Sequence, residues 1–434
     1  MGFSTWMTYF VCLCTAFLTA CAGRSDNHDS YTAVVDAGSS GSRLFLYKSA
    51  PSGSFVNIQT MLEEQPGSVK GLSSFVNTPA QAGPEEIQPL LNILSAYLTE
   101  HGIPKNQVPV YALATAGMRM LEQTNPTAVT RIYQSVSTTL SNSGYMAKQV
   151  GTILGQNEGL YAWVDANYLK GNFQNNTATS GIVEVGGAST QIAFGTSLTS
   201  NPNVVNKTIN GVTYSVFSVS YLGLGQNEAR NLMITSTSPN SGGISNNVCY
   251  PFNPGPYDDT TSPATYSLKN NGNNISSSGS NFNYNACAGV YQSVINSVGS
   301  NVYNRVQANN TTPADISGID YFFTTNFIGL SSVAYALNDL GASGAANQQA
   351  ALQTSITTKC TVSGSNPDPW ATIYAAYGNV NSTYAQGSCA NSTYNNQLVF
   401  GALGIPPGNL SAVETLDGNK LSWTRGFVVL LNSP

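Results

Sequence analysis

Two stretches of the chain share one pattern of apolar and polar positions. Residues 34–47 and residues 182–194 each contain an apolar run, an acid, a turn of small residues and a second apolar run. The runs are rich in β-branched and aromatic side chains, which favour strands. The pattern therefore predicts two β-hairpins of one design, carried by two related lobes that face a shared cleft.

The rest of the chain alternates between amphipathic helical spacing and short apolar runs, which is typical of an α/β protein. The predicted helices cover residues 84–98, 126–140, 155–169, 286–306, 327–340, 350–358 and 370–377, and another begins at residue 225. The predicted strands cover residues 108–114, 145–154, 204–221 and 321–323. Residues 236–285, rich in Ser, Asn, Gly and Pro, predict loops, whereas residues 421–430 are apolar enough to pack against one lobe.

The small-residue turns of both hairpins suit an anion. Glycine allows a tight turn and a close approach of the ligand, while successive amides and Ser hydroxyls donate hydrogen bonds. The residues predicted to bind phosphate are Ser39, Ser40, Gly41, Ser42, Gly186, Gly187 and Ala188. A single Gly/Ser hairpin turn is more often only a turn, and it is the second copy that favours function.

An acid ends the first strand of each hairpin, Asp36 in one and Glu184 in the other. A carboxylate beside a phosphate is repulsive unless a cation lies between them. Both acids are therefore predicted to hold a divalent metal through its water shell.

Composition limits the partners. Charged residues make up 9% of the 434 residues, the net charge is -5, and the chain has no basic run. A nucleic-acid groove is therefore not expected, and an anion site must rely on backbone amides and metal. The 41% hydrophobic content suffices for two sizeable cores.

The N-terminus predicts export. The apolar run of residues 6–20 is too short to span a membrane, so residues 1–22 are interpreted as a signal peptide or a lipoprotein leader. Cys21 fits a lipoprotein processing box and would carry a lipid anchor, but residues 20–22 also fit ordinary cleavage, and the absence of Lys and Arg before the apolar run argues against the lipoprotein. No later segment predicts a transmembrane span. The mature protein is expected to be secreted, periplasmic or anchored to a membrane surface by an N-terminal lipid.

Four cysteines follow the leader: Cys249, Cys287, Cys360 and Cys389. The chain has no C-x-x-C spacing and only two histidines, which disfavours zinc. Two disulfides in an oxidising compartment are expected, and of the three connectivities the neighbouring pairs are favoured. Four unpaired buried thiols are the alternative.

Two further residues are ambiguous on sequence alone. Glu158 follows a predicted strand at the start of a helix, where an acid often serves only to complement the helix dipole. Thr115 ends another predicted strand and is either a buried hydroxyl or a phosphate ligand.

Taken together, the motifs resemble the apyrase conserved regions of the nucleoside triphosphate diphosphohydrolases. They are Asp-Ala-Gly-Ser-Ser at residues 36–40, Ala-Thr-Ala-Gly-Met-Arg at 114–119, Gly-Gln-Asn-Glu-Gly at 155–159, Gly-Gly-Ala-Ser-Thr-Gln at 186–191, and the segment 422–432. The resemblance covers nearly the whole mature chain. It implies a two-lobed actin/hexokinase-like (ribonuclease H-like) α/β fold with the active site in the inter-lobe cleft. Residues 30–155, joined by the returning segment 405–434, would form the first lobe, and residues 156–404 the second.

The resemblance also implies an activity, removal of terminal phosphates from nucleoside tri- and diphosphates with Ca²⁺ or Mg²⁺ by a protein expected to be monomeric. Carried over by motif, Glu158 resembles the base that activates water, Ser189 and Gln191 its positioners, and Thr115 a contact near the terminal phosphate. Asp36 and Glu184 resemble the holders of the metal's water shell.

Two departures from the family pattern leave alternatives open. Glu184 replaces the family's usual Asp, and the aromatic residues that clamp the base can only be nominated, as Tyr321, Phe323, Phe327 or Tyr335. The rival functions are a polyphosphate or guanosine-polyphosphate phosphatase of the same superfamily and a catalytically silent nucleotide-binding protein. A serine hydrolase is disfavoured because the chain lacks a nucleophile-elbow motif and a suitable histidine.

Overall fold

The computed structural model describes residues 29–52, 55–65, 70–237, 248–251, 266–270, 273–277, 282–378 and 383–433. The predicted leader, including Cys21, lies outside these residues, as does most of the stretch 236–285. The described residues form two large mixed β-sheets covered by helices, which confirms the predicted α/β class.

The first sheet contains both antiparallel and parallel strands, in the order β3-β2-β1-β4-β5. Its strands are β1 Ser30–Ala37, β2 Ser42–Ser52, β3 Phe55–Glu64, β4 Pro109–Ala114 and β5 Met146–Thr152. The hairpin β1–β2 is antiparallel, whereas β4 pairs parallel with β1. The helices that accompany this sheet are α1 Gln88–Glu100, α2 Ala116–Thr124 and α3 Pro126–Asn142. A π-helical turn, Ala82–Ile87, leads into α1.

The second sheet repeats this plan, in the order β13-β12-β6-β7-β9-β8. Its strands are β6 Gly181–Val185, β7 Ser189–Gly195, β8 Val204–Ile209, β9 Val212–Leu222, β12 Phe327–Ser331 and β13 Leu410–Ala412. Two small strand pairs stand apart, β10 Tyr266–Asn270 with β11 Asn273–Ser277, and β14 Thr415–Leu416 with β15 Asn419–Lys420. The remaining helices are α4 Gly155–Leu169, α5 Asn172–Asn175, α6 Gln226–Thr237, α7 Tyr284–Gly299, α8 Val302–Gln307, α9 Ser332–Asp339, α10 Gln348–Cys360, α11 Pro369–Ala376, α12 Thr383–Asn395 and α13 Trp423–Leu431.

Three layers of apolar side chains hold the two sheets. Successive strand residues point to opposite faces, so Val34 of β1 enters the middle layer while Ala33 and Val35 enter the outer layer beside α1 and α3. In β6, Ile182 enters the same middle layer and Val183 the outer layer of the second sheet. Helices α4 and α13 lie in the middle layer, and this layer therefore joins the two sheets.

Two predicted elements are wrong. Residues 321–323 form no strand, because Tyr321 takes a left-handed φ of 64° and a short 3-10 turn, Phe322–Thr324, follows. The predicted helix at 327–340 begins only at Ser332, and the residues before it are strand β12, which pairs parallel with β6. A short apolar run does not reveal its period, so the pairing partner decides its structure.

One long helix was missed, α12 Thr383–Asn395. Its sequence, TYAQGSCANSTYN, is made largely of small polar residues and carries no apolar period of 3.6. Tertiary packing stabilises this helix, since nine of its residues from Ala385 to Tyr394 are buried, namely Ala385, Gly387, Ser388, Cys389, Ala390, Asn391, Ser392, Thr393 and Tyr394.

The favoured disulfide pairing is confirmed. Cys249 is bonded to Cys287, and Cys360 to Cys389. All four sulfurs lie in the outer core of the second sheet, where they tie together the helices that cover it. Among the described residues, none of the helices has the length and apolarity needed to cross a bilayer.

A buried ion pair fixes α13 to α4. Arg425 Nε donates to Asp165 Oδ1 at 2.7 Å, and the Ser422 amide donates to Asp165 Oδ2 at 2.7 Å. Burial raises the pKa of Asp165 to about 6, and the charge of Arg425 opposes that rise. From the other side, Thr424 of α13 shares a hydrogen bond with Tyr47 of β2 at 2.7 Å.

We expect Arg425→Ala to lower the free energy of unfolding by about 3–5 kcal/mol, because it leaves the Asp165 charge buried without a partner. Denaturant titration measures this change. The control is Asp29→Asn, which breaks the half-exposed pair between Lys48 and Asp29 and should cost no more than about 1 kcal/mol. Equal effects of the two substitutions would contradict the role given to the Asp165–Arg425 pair.

Candidate active site

A cleft of about 760 Å³ opens between the two sheets, and both hairpin turns line it. The turn between β1 and β2 contributes residues 38–41, and the turn between β6 and β7 contributes residues 186–188. The sequence thus predicts correctly that the two hairpins face one cleft.

The two turns come close to one another. A Cβ atom on Gly187 would lie 2.7 Å from Ser39 Oγ and 2.8 Å from Ser40 Oγ, so a larger residue there would displace these two hydroxyls. Across the cleft, Asn227 Nδ2 at the start of α6 donates to Ser40 Oγ at 3.3 Å. The loops therefore present amides and hydroxyls from two sides to a ligand between them.

One predicted phosphate ligand is placed differently from the rest. Ser42 is fully buried, and its amide donates to Glu86 Oε1 at 3.0 Å. That amide is therefore engaged, while the turn residues Ser39, Ser40 and Gly41 line the cleft.

Glu158 lies in the first turn of α4, where it is buried and lines the cleft. Its Oε2 accepts a hydrogen bond from Arg119 Nη2 at 2.8 Å, and the same nitrogen donates to Ser189 Oγ at 3.0 Å. Arg119 also donates through Nη1 to the Ile153 carbonyl at 3.3 Å. The guanidinium thus fixes the carboxylate and the hydroxyl next to one another.

Ser189 and Gln191 come from alternate positions on β7. Gln191 Nε2 donates to Ser189 Oγ and, at 3.3 Å, to Ser220 Oγ of β9. Thr115 ends β4 and precedes α2; it is buried and lines the cleft. The structure therefore brings Glu158, Ser189 and Thr115 to the wall of one cleft, whereas Gln191 is buried behind Ser189 and does not itself line the cleft.

Asp36 and Glu184 lie in the cleft from opposite sheets. Each is partly buried and has one fully buried oxygen without a hydrogen-bond partner, Asp36 Oδ1 and Glu184 Oε2. Burial raises the pKa of Asp36 to about 7 and that of Glu184 to about 8, and the charge of Glu158 adds to both shifts. A hydrogen bond from Trp423 partly opposes the shift of Asp36.

These acids fit a divalent cation, since unpartnered buried carboxylate oxygens are the ligands that Ca²⁺ and Mg²⁺ prefer. Within the described part of the chain, no cluster of three or more Asp, Glu, His or Cys side chains could enclose a metal directly. A cation held largely through its water shell is consistent with both findings.

Of the four aromatic candidates for the base, only Tyr335 lines the cleft. Its side chain is 44% exposed, in the second turn of α9. Phe327 is a core residue. Tyr321 and Phe323 are exposed, and neither lines this cleft.

Sequence reasoning missed several residues of the site. Arg119 is part of a motif already singled out, and its cationic side chain beside a predicted strand end was the available signal. Arg43, which stands opposite Asp36 in the β1–β2 register and lines the cleft, was equally visible. No local pattern pointed to Asn227, Ser331 or Trp423, since their places depend on tertiary structure.

The fold and cleft define a two-lobed α/β protein in which a small-residue hairpin turn of each lobe lines the cleft, and comparison with known proteins agrees. The model of the GDA1/CD39 (nucleoside phosphatase) family matches residues 23–433. The chain belongs to this family, which confirms the resemblance inferred from the motifs.

Characterised relatives resemble part of the chain. Ectonucleoside triphosphate diphosphohydrolase 3 of Mus musculus is 32% identical over 239 residues, which are 51% of this chain and 44% of the mouse protein. A nucleoside-triphosphatase of Pisum sativum is 33% identical over 234 residues, 50% of each chain. The chain thus spans about half the length of the relatives it matches.

A solved structure resembles the whole fold. The crystal structure of nucleoside triphosphate hydrolases from Neospora caninum superposes with a TM-score of 0.58 at 17% identity, covering 93% of this chain and 92% of that one. This likeness, with the family membership, confirms the predicted two-lobed actin/hexokinase-like fold.

We expect the metal-free protein to lose stability as pH rises from about 4 to 8. Asp36 and Glu184 have pKa values raised on folding, so the folded state holds protons that the unfolded state releases in this window. Stability falls with pH wherever the folded state binds more protons. The difference should be on the order of a few kcal/mol, measured by thermal unfolding in chelator.

The control is the double variant Asp36→Asn/Glu184→Gln, in which this part of the pH dependence should vanish. An unchanged pH dependence in the double variant would show that other groups cause it.

Proposed function

We propose that this protein hydrolyses the terminal phosphates of nucleoside tri- and diphosphates with the help of a divalent cation. The observation that carries the proposal is the cluster of Glu158, Arg119 and Ser189 between the two hairpin turns, with the partly buried acids Asp36 and Glu184 lining the same cleft. Family membership and the names of the relatives support the same activity.

The loops would bind the phosphates. Residues 39–41 and 186–188 line the cleft from both sheets, as does Thr115, and although the Gly186 amide donates to the Ser189 carbonyl, the other amides and the Ser hydroxyls of these turns would serve as donors. Such donors stabilise the charge of a transferring phosphoryl group, while Arg43 supplies a positive side chain at the same cleft.

Glu158 would activate the attacking water. A water that attacks phosphorus must lose a proton, and Glu158 is linked through Arg119 Nη2 to Ser189, whose hydroxyl also accepts from Gln191 and would orient the water. Arg119 holds the carboxylate and the Ser189 hydroxyl in place, so both act as a preorganised pair. The side chains of this cluster require no covalent intermediate.

Asp36 and Glu184 would hold the water shell of Ca²⁺ or Mg²⁺. When bound, the cation supplies charge neutralisation for the phosphate oxygens. The phosphate-release assay described below determines which of the two cations is preferred.

Tyr335 is our candidate for stacking on the nucleobase, since of the aromatic residues nominated it alone lines the cleft. We propose a monomer in which residues 30–155, joined by the returning segment 405–434, form one lobe and residues 156–404 the other, although β13 of the returning segment pairs with β12 of the second sheet. The two disulfides support an extracytoplasmic location, with Cys21 as the candidate lipid site.

A phosphate-release assay tests the proposal. ATP, ADP, GTP, UTP and inorganic polyphosphate should be compared with Ca²⁺, with Mg²⁺ and with chelator. Release from nucleotides that requires a cation supports it. Hydrolysis of polyphosphate alone would favour the phosphatase alternative, and cation-dependent nucleotide binding without release would favour a silent binding protein.

Glu158→Gln should lower kcat by about 10²–10⁴-fold with little change in nucleotide affinity, because it keeps the shape of the side chain and removes the basic oxygen. Single-turnover kinetics and binding titration measure the two effects. The matched control is Glu122→Gln on α2, where the carboxylate accepts a hydrogen bond from Thr152 at an exposed position. A Glu158→Gln protein with near-normal turnover would move the search for the base to Glu184.

Asp36→Ala should nearly abolish turnover and weaken cation binding, since it removes one of the two unpartnered carboxylates. Cation titrations of activity and of thermal stability measure this. Full activity in chelator, in the wild type, would rule out the proposed dependence on a cation.

A further inference from the structure

Ser331 combines two unusual features at the junction of β12 and α9. Its φ is 54° and its ψ is -124°, a region that favours glycine, and its hydroxyl donates to Glu184 Oε1 at 3.1 Å. Apart from Tyr321 and Ser331, the described non-glycine residues with positive φ are Asn or Asp, which tolerate it better. Strained residues of this kind cluster at functional sites.

The secondary-structure elements on both sides of Ser331 prevent its backbone from relaxing to a less strained conformation. Strand β12 pairs parallel with β6, and the register places Leu330 beside Glu184 and Ser331 beside Val185. Helix α9 begins at the very next residue. The sharp turn between these elements is therefore made at a serine, although glycine would adopt it at lower cost.

The hydroxyl of Ser331 acts on a carboxylate that has little other support. Glu184 Oε1 accepts from Ser331, whereas Glu184 Oε2 is buried and has no hydrogen-bond partner. Fixing one oxygen leaves the other in a defined direction. The surrounding charged groups are the acids Glu158 and Asp36 and, more distantly, Arg43, so electrostatic attraction alone does not hold Glu184 in place.

We propose that Ser331 is a positioning residue that holds the Glu184 carboxylate in the geometry required by the hydrated cation, and that its backbone strain is retained for this purpose. The proposal rests on the proposed function, in which Glu184 serves the cation. The same turn starts α9, and Tyr335 of that helix lines the cleft. The turn at Ser331 therefore determines the positions of two side chains, Glu184, which would serve the cation, and Tyr335, which would stack on the nucleobase.

Two substitutions separate the hydroxyl from the strain. Ser331→Ala removes the hydroxyl and keeps the strain, whereas Ser331→Gly removes both. Both variants should require roughly tenfold more Ca²⁺ or Mg²⁺ for half-maximal turnover and for half-maximal thermal stabilisation in the presence of a non-hydrolysable ATP analogue. In chelator, Ser331→Gly should melt roughly 1–4 °C above Ser331→Ala.

The matched control is Asn210→Gly, at another positive φ of 53° in the turn between β8 and β9, away from the cleft. It should leave the cation titration unchanged. Wild-type cation titrations in both Ser331 variants would overturn the positioning role, and equal melting temperatures of the two variants in chelator would overturn the strain.

The two proposals fail in different ways. If the wild type shows no response to either cation, the proposed function fails and this inference with it. If the wild type and Asp36→Ala behave as expected while the Ser331 variants match the wild type, the positioning role alone is overturned. If Ser331→Ala does not fold, the cation titration of Ser331→Gly still decides the positioning role.

Discussion

Helices α4 and α13 pack with their backbones in contact, and this contact determines how the two sheets are placed relative to one another. A Cβ atom on Gly426 would lie 1.9 Å from the Tyr161 carbonyl oxygen, so the backbones meet where a larger residue cannot fit. The buried pair of Asp165 and Arg425 fixes the same contact. Because α4 packs on the second sheet and α13 on the first, this contact sets the distance between the sheets and the width of the cleft.

The same helix pair also delivers residues to the site. Glu158 lies in the first turn of α4, and Trp423 is the first residue of α13, where its ring donates to Asp36. Both helix N-termini face the cleft, and their partial positive charge favours the anions that gather there. Core packing and catalytic geometry are therefore coupled, and a change in the helix contact would displace both carboxylates.

The sequence predicted the parts of the molecule whose structure is set locally. The two hairpins, the acids Asp36 and Glu184 and the helix that carries Glu158 follow from short-range patterns, and the disulfide pairs follow from their order along the chain. The helix α12 and the strand β12 were not predicted, because buried small polar residues and a short apolar run have no informative period. Arg119 and Ser331 show the same limit, since the former reaches Glu158 39 residues away and the latter reaches Glu184 147 residues away. Distances of this kind depend on the packing of the two sheets.

The charge of the cleft bears on the form in which a nucleotide would enter. Seven acidic and two basic side chains line it, although charged residues are scarce in the chain as a whole. A nucleotide without a cation would meet repulsion from the charge of Glu158, which already raises the pKa of Asp36 and of Glu184. A nucleotide that carries Ca²⁺ or Mg²⁺ would bring a positive charge to Asp36 and Glu184, so that repulsion would become attraction at these two acids. If the proposed function holds, the electrostatics favour the cation–nucleotide complex as the species that would bind, with the loops facing its phosphates and the acids facing the waters of its cation.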